Sequence, residues 1–232
     1  VRHGRGHEVY RSPLFEKGNE MSEEIIQGSS EWKAQRLGKV TASRVADVVA
    51  RTKSGWGASR ANYMAQLVAE RLTGEVAESY TNAAMAWGIE KESDARAAYE
   101  FHRDAEVIEC GFIEHPNLNM TGASPDGLVG EDGLVEIKCP QTATHIETLK
   151  GRSVPSKYIM QIQWQIAVTG RQWCDFVSFD PRMPEHMRLF VRRVPRDERL
   201  INELSGEIIA FLVEVNDTVA ELNRLYGPRA AA

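Results

Sequence analysis

Residues 124–140 read SPDGLVGEDGLVEIKCP, and this stretch determines the predicted fold. Two short β-prone runs flank a Gly-containing turn at 130–133, which is the pattern of a β-hairpin. Side chains two positions apart on a strand point to the same face, so Glu136 and Lys138 share one face while apolar neighbours fill the other. Pairing of the two runs then brings Asp126 across towards Glu136.

The polar residues of this hairpin predict a site for phosphodiester hydrolysis. Two carboxylates bind a hard divalent cation through oxygen, and Mg²⁺ prefers a site that leaves it several waters. A lysine beside them can orient or deprotonate an attacking water and offset developing negative charge. The alternative is a surface hairpin with an exposed Glu–Lys pair, which is common on half-exposed strands. The full string is more specific than a bare Glu-x-Lys, and it favours the catalytic interpretation of Asp126, Glu136 and Lys138.

A predicted helix over 82–104 carries a further carboxylate on an otherwise apolar face. The residues at helical spacing on that face are Met85, Ile89, Glu92, Arg96 and Tyr99. Glu92 either adds a third carboxylate to the metal site, which we favour, or forms a buried ion pair with Arg96.

A second predicted helix, over 155–168, presents an uncharged but polar face formed by Tyr158, Gln161 and Gln165. Hydrogen-bonding side chains of this kind suit contacts to a phosphate oxygen or to a bound water. The alternative is an ordinary solvated helix face.

The rest of the chain predicts one α/β domain with a central mixed sheet flanked by helices. Residues 1–28 are polar and without clear periodicity, which predicts a disordered tail, so the folded domain is expected to cover 29–228. Helices are predicted near 30, over 41–50, 60–73, 82–104, 155–168 and 198–226, and strands over 107–114, 120–123, 127–129, 134–139, 173–180 and 188–194.

Composition sets further bounds. The 232 residues are 42% hydrophobic and 26% charged, which is typical of a globular protein with one sizeable core. Lacking any apolar run of about 18 residues, the sequence predicts an unexported, cytoplasmic protein with no membrane partner. Three scattered cysteines argue against a disulfide framework or a thiolate metal site. The net charge of -5 disfavours a sequence-independent DNA coat, but not an enzyme that encloses a short stretch of DNA.

From about Ser29 to the last helix, the chain resembles the lambda exonuclease family, the viral-recombinase branch of the PD-(D/E)xK nuclease superfamily. The motifs that carry the resemblance are WKAQRLG at 32–38, TAS at 41–43, AWG at 86–88 with Glu92, SPDG at 124–127, EIKCP at 136–140, YIMQ at 158–161 and DPRM at 180–183. Several ordered matches at family-like spacings are more specific than any single motif.

The resemblance implies a restriction-endonuclease-like core and a Mg²⁺-dependent 5′-to-3′ exonuclease. Such an enzyme digests one strand of linear double-stranded DNA and leaves 3′ overhangs for single-strand-annealing recombination. Asp126 and Glu136 would be the principal metal ligands, and Lys138 the partner of the nucleophilic water. Glu92 and Gln161 would orient that water or support the metal site.

The resemblance also implies substrate contacts. Arg36, Ser43 and Ser124 match the family's pocket for the 5′-phosphate, although alone they would be interpreted as a surface arginine and two helix caps. Lys53, in the Gly-rich loop at 51–57, falls where the family has a DNA-tracking arginine, and it lacks that residue's planar fork. Met85 occupies the position of an apolar wedge that parts the strands, and it is equally credible as a core residue.

The implied cofactor is Mg²⁺, with two ions expected and Mn²⁺ as a substitute. The implied partners are duplex ends with a 5′-phosphate, a phage-type single-strand annealing protein, and two further copies of the chain in a ring-shaped homotrimer. The implied setting is the bacterial cytoplasm, with a phage or prophage as the source. A site-specific or structure-specific endonuclease with the same metal core and a non-catalytic DNA-end-binding ring remain alternatives. A Cas4-like relative is disfavoured because its iron–sulfur cluster needs four cysteines.

Overall fold

The computed structural model describes residues 26–77 and 83–227, and its central element is a five-stranded mixed β-sheet. The strand order is β10 (Leu189–Pro195), β9 (Trp173–Phe179), β8 (Gly133–Lys138), β7 (Gly127–Val129) and β4 (Val107–Ile108). Strands β8 and β9 run parallel, and the other neighbours are antiparallel. The predicted hairpin is the β7–β8 pair, so the α/β class and the mixed sheet are confirmed. Residues 1–25 of the predicted tail lie outside the described residues.

Seven α-helices occur in the described parts of the chain. They are α1 (Ser30–Arg36), α2 (Val45–Val48), α3 (Ala58–Thr73), α4 (Ala83–Arg103), α5 (Thr142–Gly151), α6 (Ser156–Thr169) and α7 (Glu198–Tyr226). A smaller sheet has the order β1 (Val40–Thr41), β6 (Thr121–Ala123) and β5 (Ile113–Glu114), and β2 (Arg51–Thr52) pairs with β3 (Gly55–Trp56). Within residues 26–77 and 83–227, no helix is long and apolar enough to cross a membrane.

Apolar side chains of the central strands point to both faces of the sheet, so a helix packs on each face. On one face Phe176 packs with Ile162 and Ile166 of α6. On the other face Val135 packs with Ala95 and Tyr99 of α4. This arrangement places α4 and α6 on opposite sides of β8, the strand that carries Glu136 and Lys138.

The predicted helix over 41–50 is wrong in its first half. Val40 and Thr41 form a strand that pairs in parallel with β6, and a 3-10 turn over Ala42–Arg44 precedes the four-residue α2. Thr41 is extended and its side chain makes no capping hydrogen bond. Pairing with β6 therefore overrides the local capping pattern. In the same way, the Gly-rich loop at 51–57 contains the β2–β3 hairpin.

Helix α5 was not predicted from the sequence. Its residues, TATHIETLKG, include three threonines, which are weak helix formers. The helix is held by tertiary contacts of His145, which is fully buried. One ring nitrogen of His145 lies 2.8 Å from Ser178 Oγ, and the other lies 2.8 Å from the Met187 carbonyl oxygen.

Candidate active site

Asp126 and Glu136 are brought together by the β7–β8 hairpin. Asp126 immediately precedes β7, and its Oδ2 accepts a hydrogen bond of 2.6 Å from the backbone N–H of Ile137. This bond fixes the carboxylate beside the residue that follows Glu136 on β8. Glu136 itself is fully buried, so the site presents an inner and a more accessible carboxylate.

Three side chains contact the carboxylate of Glu136. Gln161 Nε2 donates to Oε1 at 2.5 Å, and Gln165 Nε2 donates to Oε2 at 2.6 Å. The ammonium of Lys138 forms an ion pair with Oε1. Helix α6 therefore points its amides at β8, and the interpretation of this helix face as solvated is wrong, because Gln165 is 0% exposed. Tyr158, on the same face, places its ring centroid 5.7 Å from Lys138 Nζ.

The charges at this site perturb one another. Burial and the neighbouring charge of Glu136 raise the pKa of Asp126 well above its usual value, against the opposing effect of Lys138. Burial lowers the pKa of Lys138, but Glu136 and Asp126 outweigh burial and raise it above the ordinary lysine value. When both carboxylates are ionised, they leave an excess of negative charge beside the one ammonium, and a divalent cation would offset that excess.

Two roles are predicted for Glu92, which lies on α4: a third carboxylate of the metal site, or an ion pair with Arg96. Glu92 Oε1 accepts a 3.3 Å hydrogen bond from Arg96, so the alternative ion pair forms, but the Glu92 side chain is 37% exposed and the pair is not buried as predicted. Burial raises the pKa of Glu92, which also responds to Arg96, Lys138 and Glu136. Among the described residues, however, no three His, Cys, Asp or Glu side chains converge tightly enough to hold a metal ion. Glu92 is therefore not grouped with Asp126 and Glu136, and its role as a direct ligand stays a prediction.

The oxygen donors of Asp126 and Glu136 fit a hard divalent cation such as Mg²⁺ or Mn²⁺. The amides of Gln161 and Gln165 donate hydrogen bonds to Glu136, and hydrogen bonds of this kind normally orient a carboxylate that binds a metal ion. The donor chemistry of these residues and their excess of negative charge are thus consistent with a metal centre of this class.

A second group of predicted residues meets at the β6–β7 connection. Ser124 Oγ accepts hydrogen bonds from Trp32 Nε1 at 2.9 Å and from Arg36 Nη1 at 3.3 Å. The guanidinium of Arg36 stacks on Trp32, with Cζ 3.9 Å from the ring centroid. Burial lowers the pKa of Arg36 to about 10. Within the described residues no carboxylate forms an ion pair with Arg36, so this half-buried cation is suited to bind an anion.

The turn after α1 holds Arg36 in place. Gly38 adopts φ +66°, a left-handed conformation that favours glycine. Its N–H donates to Glu70 Oε2 at 2.8 Å, and its carbonyl accepts from Arg71 Nε at 2.8 Å. A side chain at this position would bring Cβ within 2.8 Å of Arg71 Cγ. Gly38 is thus bound to α3 through both its N–H and its carbonyl.

A cavity of about 1010 Å³ adjoins Arg36 and extends to Glu92 on α4. Ser43 is exposed and lines it, with Oγ 3.4 Å from Thr41 Oγ1. Further lining residues, to which the sequence analysis assigned no role, are Trp32, Lys33, Lys39, Arg44 and Tyr63. Their basic and aromatic character is the signal that could have identified them. The cavity is large enough for a nucleotide-sized ligand.

The two remaining predicted substrate residues, Met85 and Lys53, are both exposed. Met85 is 48% exposed and lines the cavity, so the alternative that it belongs to the core is wrong. Lys53 lies at the exposed turn between β2 and β3. That hairpin is braced because Trp56 stacks between the guanidinium groups of Arg51 and Arg60, at 3.9 and 4.0 Å.

Comparison with known proteins places this geometry in a family. Residues 31–172 match the YqaJ-like viral recombinase domain. The fold is similar to the crystal structure of an alkaline exonuclease (LHK-Exo) from Laribacter hongkongensis, with 53% identity and a TM-score of 0.79, covering 84% of this chain and 97% of that chain. The crystal structure of LHK-Exo in complex with dAMP gives a TM-score of 0.80 at the same identity and coverage.

Two more distant proteins are also similar. A phage-related exonuclease from Haemophilus somnus 129PT shares the fold, with a TM-score of 0.66 and 16% identity over 79% of this chain and 96% of that chain. The uncharacterized protein R354 of Acanthamoeba polyphaga mimivirus is 31% identical over an alignment 93 residues long. That match covers 34% of this chain and 17% of that protein. Because the matched domain spans more than half of the 232 residues, this chain belongs to the YqaJ-like viral recombinases, the lambda exonuclease family that its motifs predict.

Proposed function

We propose that this protein is a Mg²⁺-dependent 5′-to-3′ exonuclease that digests one strand of linear double-stranded DNA and leaves 3′ single-stranded overhangs. Family membership and 53% identity with an alkaline exonuclease support the exonuclease activity. The observation that carries the proposal is the convergence of Asp126, Glu136 and Lys138 at the end of one hairpin. Two carboxylates and one ammonium at a common point match the needs of phosphodiester hydrolysis.

In this proposal Asp126 and Glu136 hold the divalent cation, with two Mg²⁺ ions in the working state and Mn²⁺ as a substitute. Bound there, the cation would neutralise charge on the scissile phosphate and favour ionisation of the attacking water. Gln161 is proposed to support this metal site, because its Nε2 donates to Oε1 of the Glu136 carboxylate.

Lys138 acts on the water and on the phosphate. Its raised pKa keeps it an ammonium in the metal-free site, so it orients the water and offsets the charge that develops on the phosphate oxygens. Glu92, on α4, is close enough for the charges of Lys138 and Glu136 to affect its pKa, and we assign it the orientation of the attacking water.

Arg36, Ser43 and Ser124 are proposed to hold the 5′-phosphate of the DNA end. A planar guanidinium and two hydroxyls match the geometry of a phosphate dianion. The half-buried Arg36 and the adjoining cavity support this assignment, and the cavity would receive the terminal nucleotide. The complex of LHK-Exo with dAMP shows that this relative binds a nucleotide.

We further propose a ring-shaped homotrimer that acts in the bacterial cytoplasm and delivers the 3′ strand to a phage-type single-strand annealing protein. A net charge of -5 gives the protein no overall electrostatic attraction to DNA, and a closed ring would retain the substrate without such attraction. The exposed Lys53 is then a candidate for tracking the DNA backbone, and Met85 for separating the strands.

Digestion of a linear duplex labelled at one 5′ or one 3′ end tests the proposed function. With Mg²⁺, label at the phosphorylated 5′ end should be released first as a mononucleotide, and EDTA should abolish its release. Closed circular duplex should remain intact. Cleavage of the closed circle would support the endonuclease alternative instead, and end binding without any cleavage would support the non-catalytic ring.

Replacing Arg36 by alanine should remove the preference for 5′-phosphorylated over 5′-hydroxyl ends. Loss of a charge-assisted, forked contact is expected to lower the ratio of kcat/KM for the two ends by about 10- to 100-fold. Lys150→Ala is the control, because it removes one positive charge from an exposed position on α5 that does not line the cavity. An unchanged ratio in Arg36→Ala, or an equal drop in both variants, would remove Arg36 from the pocket.

A further inference from the structure

Gln165 is a fully buried amide that contacts the inner carboxylate of the candidate site. It lies one helical turn after Gln161 on α6, and its Nε2 donates to Glu136 Oε2 at 2.6 Å. The orientation of the amide follows from chemistry, since an ionised carboxylate only accepts hydrogen bonds. Gln165 lies outside the YIMQ motif at 158–161, which carries the family resemblance on this helix.

The other end of the same amide has an unmet hydrogen bond. Gln165 Oε1 is buried and has no hydrogen-bond partner among the described residues. A buried polar group with an unmet bond is unfavourable for folding, and an apolar side chain would fill this position without that loss. Packing alone therefore does not account for a glutamine here, whereas its contact with Glu136 does.

We propose that Gln165 is a positioning residue that fixes the rotation of the Glu136 carboxylate for metal binding. Gln161 and Gln165 donate to the two different oxygens of that group, so each oxygen has its own restraint and loss of Gln165 frees Oε2. This inference rests on the proposed function, because it requires Glu136 to be a metal ligand. Outer contacts of this kind typically change metal affinity by about 10- to 100-fold.

Helix α6 supplies a matched control in Gln163. This residue is also buried, but its Nε2 donates to the Pro195 carbonyl and its Oε1 accepts from the Asp197 N–H. Both bonds connect α6 to the segment before α7 and do not reach the carboxylates. Replacing Gln163 by methionine therefore removes a buried amide of the same kind without touching Glu136.

Calorimetric titration of the metal-free full chain with Mn²⁺ tests the proposal, with thermal unfolding in EDTA as the check on folding. Gln165→Met should bind Mn²⁺ about 10- to 100-fold more weakly than wild type, whereas Gln163→Met should bind it as wild type does.

Equal Mn²⁺ affinity of wild type and Gln165→Met would overturn the role of Gln165 while leaving the proposed function in place. Absence of Mn²⁺ binding by wild type itself would overturn both. If Gln165→Met does not fold, Gln165→Asn replaces it, because the shorter side chain keeps the amide but withdraws Nε2 from Glu136. Undiminished affinity in that variant would likewise overturn the proposal.

Discussion

The Lys138→Ala variant is expected to cleave duplex DNA at least ~10²-fold more slowly than wild type, while it still binds duplex ends. A loss of this size is expected when a group that takes part in proton transfer or offsets charge in the reaction is removed. The ammonium of Lys138 is held against Glu136, and its raised pKa keeps it charged in the metal-free site. In the proposed mechanism its removal leaves the attacking water without its orienting partner. The proposed contacts to the 5′-phosphate involve other residues, so end binding should persist.

Lys157→Ala is the control for this variant. Lys157 is an exposed lysine on α6, close to the site, with Nζ 4.7 Å from the Tyr158 ring centroid. Single-turnover cleavage of a 5′-labelled duplex gives the rates, and gel-shift titration in Ca²⁺ gives end binding. Near-normal cleavage by Lys138→Ala would contradict the proposed mechanism.

The Asp126→Asn variant is expected to lose cleavage by a factor on the order of 10³, because it removes one of two anionic ligands and with it several kcal/mol of transition-state stabilisation. It should also lose the increase in unfolding temperature that Mg²⁺ gives wild type through linked binding. Asp132→Asn, in the exposed turn of the same hairpin, is the matched control for the loss of one charge.

The same substitution should change how stability depends on pH when no metal is bound. The pKa of Asp126 is raised in the folded state, mainly by burial and by Glu136. The carboxyl therefore contributes stability below its unfolded pKa of about 3.9, and that contribution is lost as pH rises through the folded pKa. Urea unfolding in EDTA should show Asp126→Asn at least as stable as wild type at pH 8. A clear loss of stability there would contradict this electrostatic account.

Where the hydrophobic periodicity of the sequence was strong, it was sufficient to predict the elements of the fold. The hairpin follows from strand alternation around a Gly-containing turn, and the long α7 follows from its amphipathic spacing. The failures have tertiary causes. Thr41 resembles a helix cap but pairs with β6, a strand that begins 80 residues later in the chain, and α5 depends on buried contacts of His145 with Ser178 and Met187.

The candidate site, like the fold, could be predicted where it depends on local spacing and could not where it depends on tertiary packing. The two-residue spacing of Glu136 and Lys138 places both on one strand face, and helical spacing identified the polar face that contains Gln161 and Gln165. Local spacing cannot show which amide reaches which oxygen, because that depends on how α6 packs on β8. Likewise Arg36 and Ser124 meet although they are 88 residues apart, a contact that came from family resemblance and not from local pattern.

Asp126 and Glu136 should together bind a divalent metal ion, and anomalous diffraction from crystals soaked in Mn²⁺ can locate that ion. We expect an anomalous peak within about 2.1–2.3 Å of carboxylate oxygens of both residues, with Lys138 displaced from Glu136 but still beside the ion. Two carboxylates that point apart, with no anomalous density between them, would rule out this metal site.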